Sequence, residues 1–215
     1  MKNTLTRLLV CLLMAAMLIP CAAIAEIDTT FEVPGLDEIF TPATGIETVE
    51  WTDENGLIKF NIPADWTEFD GEMITQMVKD MLDQGLLDEA GANEYAKELM
   101  TQVESVYAFF YAADFVGNMN IAIAATDGQN MVAAFDVLKT TFESQYIQMG
   151  ATVNSFELGS YGGRDAIVCK IEYLGVEQTQ VMIQPNDYSA MLTFSFAASA
   201  QDYVDLVMNS VVLAE

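Results

Sequence analysis

Residues 164–197 read RDAIVCKIEYLGVEQTQVMIQPNDYSAMLTFSFA, and they carry a clear pattern of β-strands and turns. Gly175 and Pro185-Asn186-Asp187 are turn formers that divide it into three segments. Apolar residues recur at every second position in the first and third segments, which is the period of a strand with one buried face. They are Ile167, Cys169, Ile171 and Tyr173 in the first segment and Leu192, Phe194 and Phe196 in the third. The stretch therefore predicts three antiparallel strands, at about 164–174, 176–184 and 188–197.

Further hairpins are predicted on the N-terminal side of this stretch. Gly162-Gly163 is a turn that adds one more strand and completes a four-strand meander. The apolar run 105–125 has Gly117-Asn118 in its middle, so we interpret it as two strands rather than as a membrane-spanning helix. Asn55-Gly56 predicts another tight hairpin turn. The strands predicted in this part of the chain are 47–52, 57–62, 105–115, 119–125 and 152–160.

Four segments carry the apolar period of a helix. Gly85 and Gly150 end two of them, and Ser199 with Asp202 forms a capping-box pattern at the start of the last. The first two helices are predicted to form a helical hairpin at 72–104. The four helices are predicted at 72–84, 88–103, 129–149 and from about Ala200. The predicted fold class is α+β, an antiparallel sheet of hairpins and a meander flanked by helices.

The N-terminal segment has the pattern of a secretory signal peptide. Lys2 and Arg7 precede an uncharged run that ends in the cleavage pattern Ala23-Ile24-Ala25. We predict a signal peptide at 1–25, an acidic linker at 26–46 and a single domain at 47–215. The product would be exported, either secreted or associated with the cell envelope. Two alternatives stay open: a lipid on Cys21, in a lipobox-like sequence, and an uncleaved anchor.

Charge excludes several classes of function. The chain has 32 acidic and 8 basic residues, a formal net charge of -24, and no histidine. Nucleic-acid binding needs Lys and Arg against phosphate, so it is not expected. Catalysis by His and metal ligation by His are ruled out. The acidic surface favours a basic protein partner of unknown identity, with membrane contact only through the signal segment or a lipid on Cys21.

Three stretches resemble the PsbP-like α/β/α sandwich superfamily. They are residues 56–66 (GLIKFNIPADW), the meander through Gly163-Arg164-Asp165-Ala166, and residues 188–210, all within about 47–213. Members of the superfamily include a photosystem subunit, a nuclear GTPase-binding factor and exported bacterial proteins of unknown role. The resemblance implies an accessory or binding protein. It brings no catalytic motif, and we expect neither an enzyme nor a cofactor.

Two other functions stay open as alternatives. Acids near Asp70 and Asp80 could meet Asp88 and Glu94 across the helical hairpin, and paired carboxylates could serve an extracellular hydrolase. The favoured interpretation of these acids is a solvated face. Asp53-Glu54-Asn55-Gly56 holds part of a calcium-loop spacing, which leaves a calcium-responsive surface protein open, although a plain turn is favoured and no metal site is predicted.

The candidate interaction surface lies on the helical hairpin. Thioether side chains at helical spacing can line an adaptable groove, although core packing is the favoured alternative. The candidate residues are Met73, Met77, Met81, Met100, Asp80 and Asp83.

Outside the signal segment Arg164 is the single arginine, for which a structural ion pair is favoured over an anion site. Cys169 is interpreted as a small buried hydrophobe. The sequence therefore predicts an exported, non-enzymatic binding or accessory module.

Overall fold

The computed structural model describes residues 46–214, apart from 84, 86–87, 89–90, 94–95, 98–99, 101–105, 113–116 and 174. For Met77, Met81, Ala198 and Ser199 it describes the backbone only. The predicted signal peptide, Cys21, nearly all of the predicted linker and much of the helical hairpin's second half lie outside the described residues. None of the described helices combines the length and apolarity needed to span a membrane.

The described chain contains ten strands, three α-helices with defined bounds, a 3-10 helix and part of one further helix. The strands are β1 (Thr48–Thr52), β2 (Ile58–Pro63), β3 (Thr67–Glu68), β4 (Ala108–Tyr111), β5 (Asn118–Ala125), β6 (Thr152–Tyr161), β7 (Arg164–Tyr173), β8 (Val176–Ile183), β9 (Ala190–Ala197) and β10 (Val212–Leu213). The helices are α1 (Gly71–Asp83), α2 (Phe135–Gln148) and α3 (Val204–Ser210), and a 3-10 helix (Ala198–Tyr203) precedes α3. Residues 91–93, 96–97 and 100 are also helical, inside the second helix predicted from the sequence.

Two antiparallel sheets organise the molecule. The main sheet has seven strands in the order β3-β4-β5-β9-β8-β7-β6, and the small sheet has the order β1-β2-β10. The α+β class and the meander β6 to β9 are confirmed. Gly162 and Gly163 both have positive φ, as the tight turn between β6 and β7 requires. The first hairpin pairs with β10 rather than with the main sheet, and β3 and β10 are short strands that the sequence analysis did not predict.

Each face of the main sheet is covered by a different set of elements. On one face, Phe60 of the small sheet and residues of α3 pack against Phe110 and Phe194. On the other face, α2 packs on β7 and α1 packs on β4. Successive residues of a strand point to opposite faces of the sheet. Phe110 therefore packs against the small sheet, while its neighbour Phe109 packs against α1.

The helix α2 starts six residues later than the sequence predicts. Gln184, at the end of β8, accepts a hydrogen bond from the Met131 amide at 2.7 Å and donates one to the Gln129 carbonyl at 2.9 Å. These contacts satisfy the backbone of a turn that would otherwise be the first turn of the helix. The last helix also starts later than the predicted position at about Ala200. A 3-10 helix comes first, and α3 starts at Val204 without a side-chain cap.

A row of polar side chains crosses the buried face of the main sheet. Asn120, Ser195 and Gln180 are cross-strand neighbours, and all three are fully buried. Gln180 accepts a hydrogen bond from the Tyr146 hydroxyl and donates one to Gln178 at 3.3 Å. The side-chain polar atoms of Asn120 and Ser195 have no partner in the described part of the chain. An uncompensated buried hydroxyl costs folding free energy.

Replacing Ser195 by alanine is therefore expected to raise the free energy of unfolding, by about 1 kcal/mol. The matched control is Ser210→Ala, because the Ser210 hydroxyl accepts from the Asn61 amide at 2.8 Å and donates to the Val207 carbonyl at 2.6 Å. That control is expected to lose about 1 kcal/mol or more. Urea unfolding of both variants measures the two values. Equal losses in the two variants would show that the Ser195 hydroxyl is satisfied.

Candidate functional site

A pocket of 570 Å³ lies between the small sheet and one end of the main sheet. Its apolar floor comes from β2, β5, β9 and β10, and its polar rim comes from β7, the residue before β4 and the turn between β8 and β9. The lining residues are Leu57, Ile58, Tyr107, Ile123, Arg164, Pro185, Asn186, Asp187, Ser189, Ala190, Leu192, Leu213 and Ala214. The pocket is on the face of the sheet opposite to α1.

The end of β10 closes one wall of the pocket. Leu213 is opposite Ile58 in the register of the small sheet, and the Ala214 amide donates to the Leu57 carbonyl at 2.8 Å. Ile58 and Leu213 are buried, whereas the Leu57 side chain is 54% exposed at the mouth. This difference gives the pocket an apolar floor and an apolar lip that can contact a ligand.

The turn before β2 holds a second wall in place. The buried Asp53 carboxylate accepts hydrogen bonds from the Asn55 amide at 3.0 Å, the Ile58 amide at 2.6 Å and the Tyr107 hydroxyl at 2.7 Å. Burial acts to raise the pKa of Asp53, but these hydrogen bonds outweigh it and the pKa is lowered. Burial and the neighbouring Asp53 carboxylate raise the pKa of Tyr107 to about 12. The carboxylate that the sequence analysis considered for calcium therefore fixes a turn.

Arg164 stands at the rim, directly after the Gly162-Gly163 turn. Its Nη1 donates to the Asn186 Oδ1 at 3.3 Å, in the turn between β8 and β9. The favoured structural ion pair is not found: within the described residues no salt bridge joins Arg164 to an acid. The carboxylate of Asp187, which also lines the pocket, accepts a hydrogen bond from the Ser189 amide at 3.0 Å. That contact lowers the pKa of Asp187.

The turn between β8 and β9 is held in a strained conformation. Tyr188 has a φ of 53°, which is uncommon for a residue other than glycine. The Thr126 hydroxyl donates to the Tyr188 carbonyl, and Gln184 donates to the Thr126 oxygen at 3.3 Å. Strained backbone of this kind concentrates at binding sites, and here Tyr188 lies between Asp187 and Ser189, which both line the pocket.

The predicted interaction residues lie away from this pocket. Met73 and Met100 are half-buried and pack against the cluster that contains Phe69 and Ile74, so both take part in core packing. Asp80 and Asp83 are exposed on α1, and Asp80 accepts from the Gln76 amide nitrogen at 2.7 Å. The side chains of Met77 and Met81 lie outside the description. A role for these residues in partner binding stays a prediction.

Cys169 and a metal site are the remaining candidates that the sequence raises. Cys169 is fully buried, and burial together with Glu143 raises the pKa of its thiol to about 12, which agrees with a small hydrophobe. The described ranges contain no group of three or more His, Cys, Asp or Glu placed to hold a metal ion. Sequence reasoning singled out Arg164 but missed Tyr107 and the pocket itself. Leu57, an apolar residue directly after the Asn-Gly turn, was the available signal.

Comparisons with known proteins find solved structures that are similar to this chain, but no relative by sequence. No family model matches the chain, and no curated protein matches it. Solved structures that resemble it include the cyanobacterial PsbP protein of Synechocystis, at 12% identity and a TM-score of 0.49 over 80% of this chain and 96% of that one. The yeast Ran-binding protein Mog1p, from Saccharomyces cerevisiae, is 9% identical, with a TM-score of 0.40 over 72% and 78%.

A protein from Bacteroides thetaiotaomicron is 15% identical, with a TM-score of 0.40 over 77% of this chain and 48% of its own. At such identities the similarity concerns the fold alone.

Proposed function

We propose that this protein is an exported, non-enzymatic binding module whose ligand site is the pocket between the two sheets. The observation that carries the proposal is the pocket itself. Its volume of 570 Å³ is in the range typical of small-molecule sites, about 300–1,000 Å³. An apolar floor with a few polar groups at the rim is the usual composition of such sites.

The titratable groups of the rim favour binding over turnover. A general acid or base works best when its pKa is close to the operating pH. The pKa of Tyr107 is raised to about 12, while that of Asp187 is lowered by Ser189. Both groups are shifted away from neutrality, so neither is suited to move protons at pH 7.

Export is supported by the N-terminal sequence. The basic residues Lys2 and Arg7, the apolar run and the Ala23-Ile24-Ala25 pattern are the three parts of a signal peptide. The surplus of acidic residues would keep an exported protein soluble. In this proposal the domain meets its ligand outside the cytoplasm.

Binding of the neutral apolar dye Nile red to the full-length mature protein tests the pocket assignment. We expect saturable binding that Leu57→Asn weakens roughly 3–10-fold, because the substitution makes the apolar lip polar. The matched control is Leu158→Asn on β6, since Leu57 and Leu158 are both 54% exposed. Leu158 does not line the pocket. Unchanged binding in Leu57→Asn, or equal losses in both variants, would overturn the assignment.

A further inference from the structure

We infer that the ligand of the pocket is an apolar chain that ends in a carboxylate, and that Arg164 binds this carboxylate. The inference rests on the proposed function and specifies the class of ligand. A guanidinium carries a permanent positive charge and five N–H donors in a planar fork. Among the described residues the Arg164 side chain makes one hydrogen bond of 3.3 Å, to the neutral Oδ1 of Asn186.

The surroundings of Arg164 make its charge available to a ligand. The chain has 32 acidic residues, yet within the described part none of them forms a salt bridge with Arg164. Asp187 also lines the pocket, but its carboxylate accepts from the Ser189 amide in its own turn. Asn186 holds the guanidinium at the rim without neutralising it.

The apolar part of the ligand is set by the pocket floor. Ile58, Leu192 and Leu213 are buried side chains that line it, at 3%, 4% and 6% exposure. A ligand with its carboxylate at Arg164 would place its apolar chain over these residues and against Leu57, which is 54% exposed, so that the chain and the Leu57 side chain are both removed from water. A carboxylate is favoured over a phosphate monoester, because the second negative charge would be repelled by this acidic protein.

Two sources can supply this chemistry: a free apolar carboxylic acid, and the C-terminal residue of an extended peptide. Decanoate represents the first, with decanol as the probe that keeps the chain and removes the charge. A short apolar peptide with a free carboxyl end represents the second, with the same peptide amidated as its control. Each probe is titrated against the mature protein loaded with Nile red.

We expect decanoate or the free-acid peptide to displace the dye at a concentration at least about 10-fold lower than its uncharged control requires. Arg164→Gln is expected to abolish this preference and to leave decanol binding within about 3-fold of wild type, because it keeps a hydrogen-bonding side chain without the charge. Arg164→Lys should retain part of the preference. The matched control is Lys170→Gln, which removes one positive charge at an exposed position of the same strand.

The outcomes separate this inference from the proposed function. If decanol and decanoate bind equally and Arg164→Gln changes neither, the pocket binds apolar ligands but the carboxylate assignment is wrong. If no probe binds or displaces the dye, both the assignment and the proposed function are wrong. Thermal unfolding of Arg164→Gln shows whether it is folded. If it is not, a reduced preference for the carboxylate in Arg164→Lys supports the assignment, and a preference equal to that of wild type contradicts it.

Discussion

Replacing Phe60 by alanine is expected to destabilise the protein by about 3–5 kcal/mol, because the substitution leaves a cavity between the two sheets. Phe60 is 1% exposed. Its ring centroid lies 4.9 Å from that of Trp51 and 5.7 Å from those of Phe110 and Phe194. This aromatic cluster joins the small sheet to the main sheet, so its loss also loosens the pocket between them.

Urea unfolding of Phe60→Ala and wild type measures this loss. Val137→Ala is the control, because Val137 is 61% exposed on α2 and its truncation is expected to change stability by less than about 0.5 kcal/mol. If Phe60→Ala does not fold, Phe60→Leu should lose about 1–1.5 kcal/mol. A loss below about 1 kcal/mol in Phe60→Ala would contradict the packing described for the two sheets.

The second large effect is expected at Asp53, where Asp53→Ala should cost about 2–4 kcal/mol. The carboxylate is 6% exposed and accepts hydrogen bonds from two backbone amides and the Tyr107 hydroxyl. Alanine leaves the buried Ile58 amide without its side-chain acceptor and releases Tyr107 from the pocket wall. Asp65→Ala, in the exposed turn after β2, is the control and should be nearly neutral.

The contribution of Asp53 also has a defined pH dependence. Because its folded pKa is below the ordinary 3.8, ionised Asp53 stabilises the fold above that pH, and the stabilisation is lost as pH falls through the folded pKa. The difference in stability between wild type and Asp53→Ala should therefore be full at pH 7 and shrink in the acid range below pH 3.8. A difference that stays constant into the acid range would contradict the ionised carboxylate.

Tyr107 acts at the other end of the pH scale. Its pKa is raised from 10.0 to about 12, so the neutral hydroxyl is favoured in the folded state. Its contribution to the stability of the folded state is full below pH 10.0 and is lost as pH rises through about 12. The hydrogen bond between Tyr107 and Asp53 therefore persists across the neutral range, where the pocket would bind its ligand.

The main elements were predictable because their signals are local. The alternation at Ile167, Cys169 and Ile171 and the Gly162-Gly163 turn predict β6 and β7 without knowledge of the rest of the chain. The late start of α2 was not predictable, since it depends on Gln184, which is more than 50 residues away from the turn it holds. Long-range side-chain contacts override a local helical period.

The candidate site was predictable only in part. Arg164 is conspicuous as the single arginine outside the signal segment. Its missing ion pair depends on how the turn after β8 folds, which the sequence does not specify. Tyr107 and Asp53 are 54 residues apart and meet only because the small sheet packs on the main sheet. Met73, Met77 and Met81 lie on α1, as the helical spacing predicts, and Met73 and Met100 pack on the core, which was the favoured interpretation.

The most direct test of the central claim is a titration of the isotope-labelled mature protein with decanoate, followed by amide chemical shifts. We predict saturable shifts at the pocket residues, among them Ile58, Arg164, Ser189 and Leu213, and weaker binding in Arg164→Gln. Shifts confined to the exposed acids of α1, or no shifts with either decanoate or the free-acid peptide, would contradict the claim that the pocket between the two sheets is the ligand site.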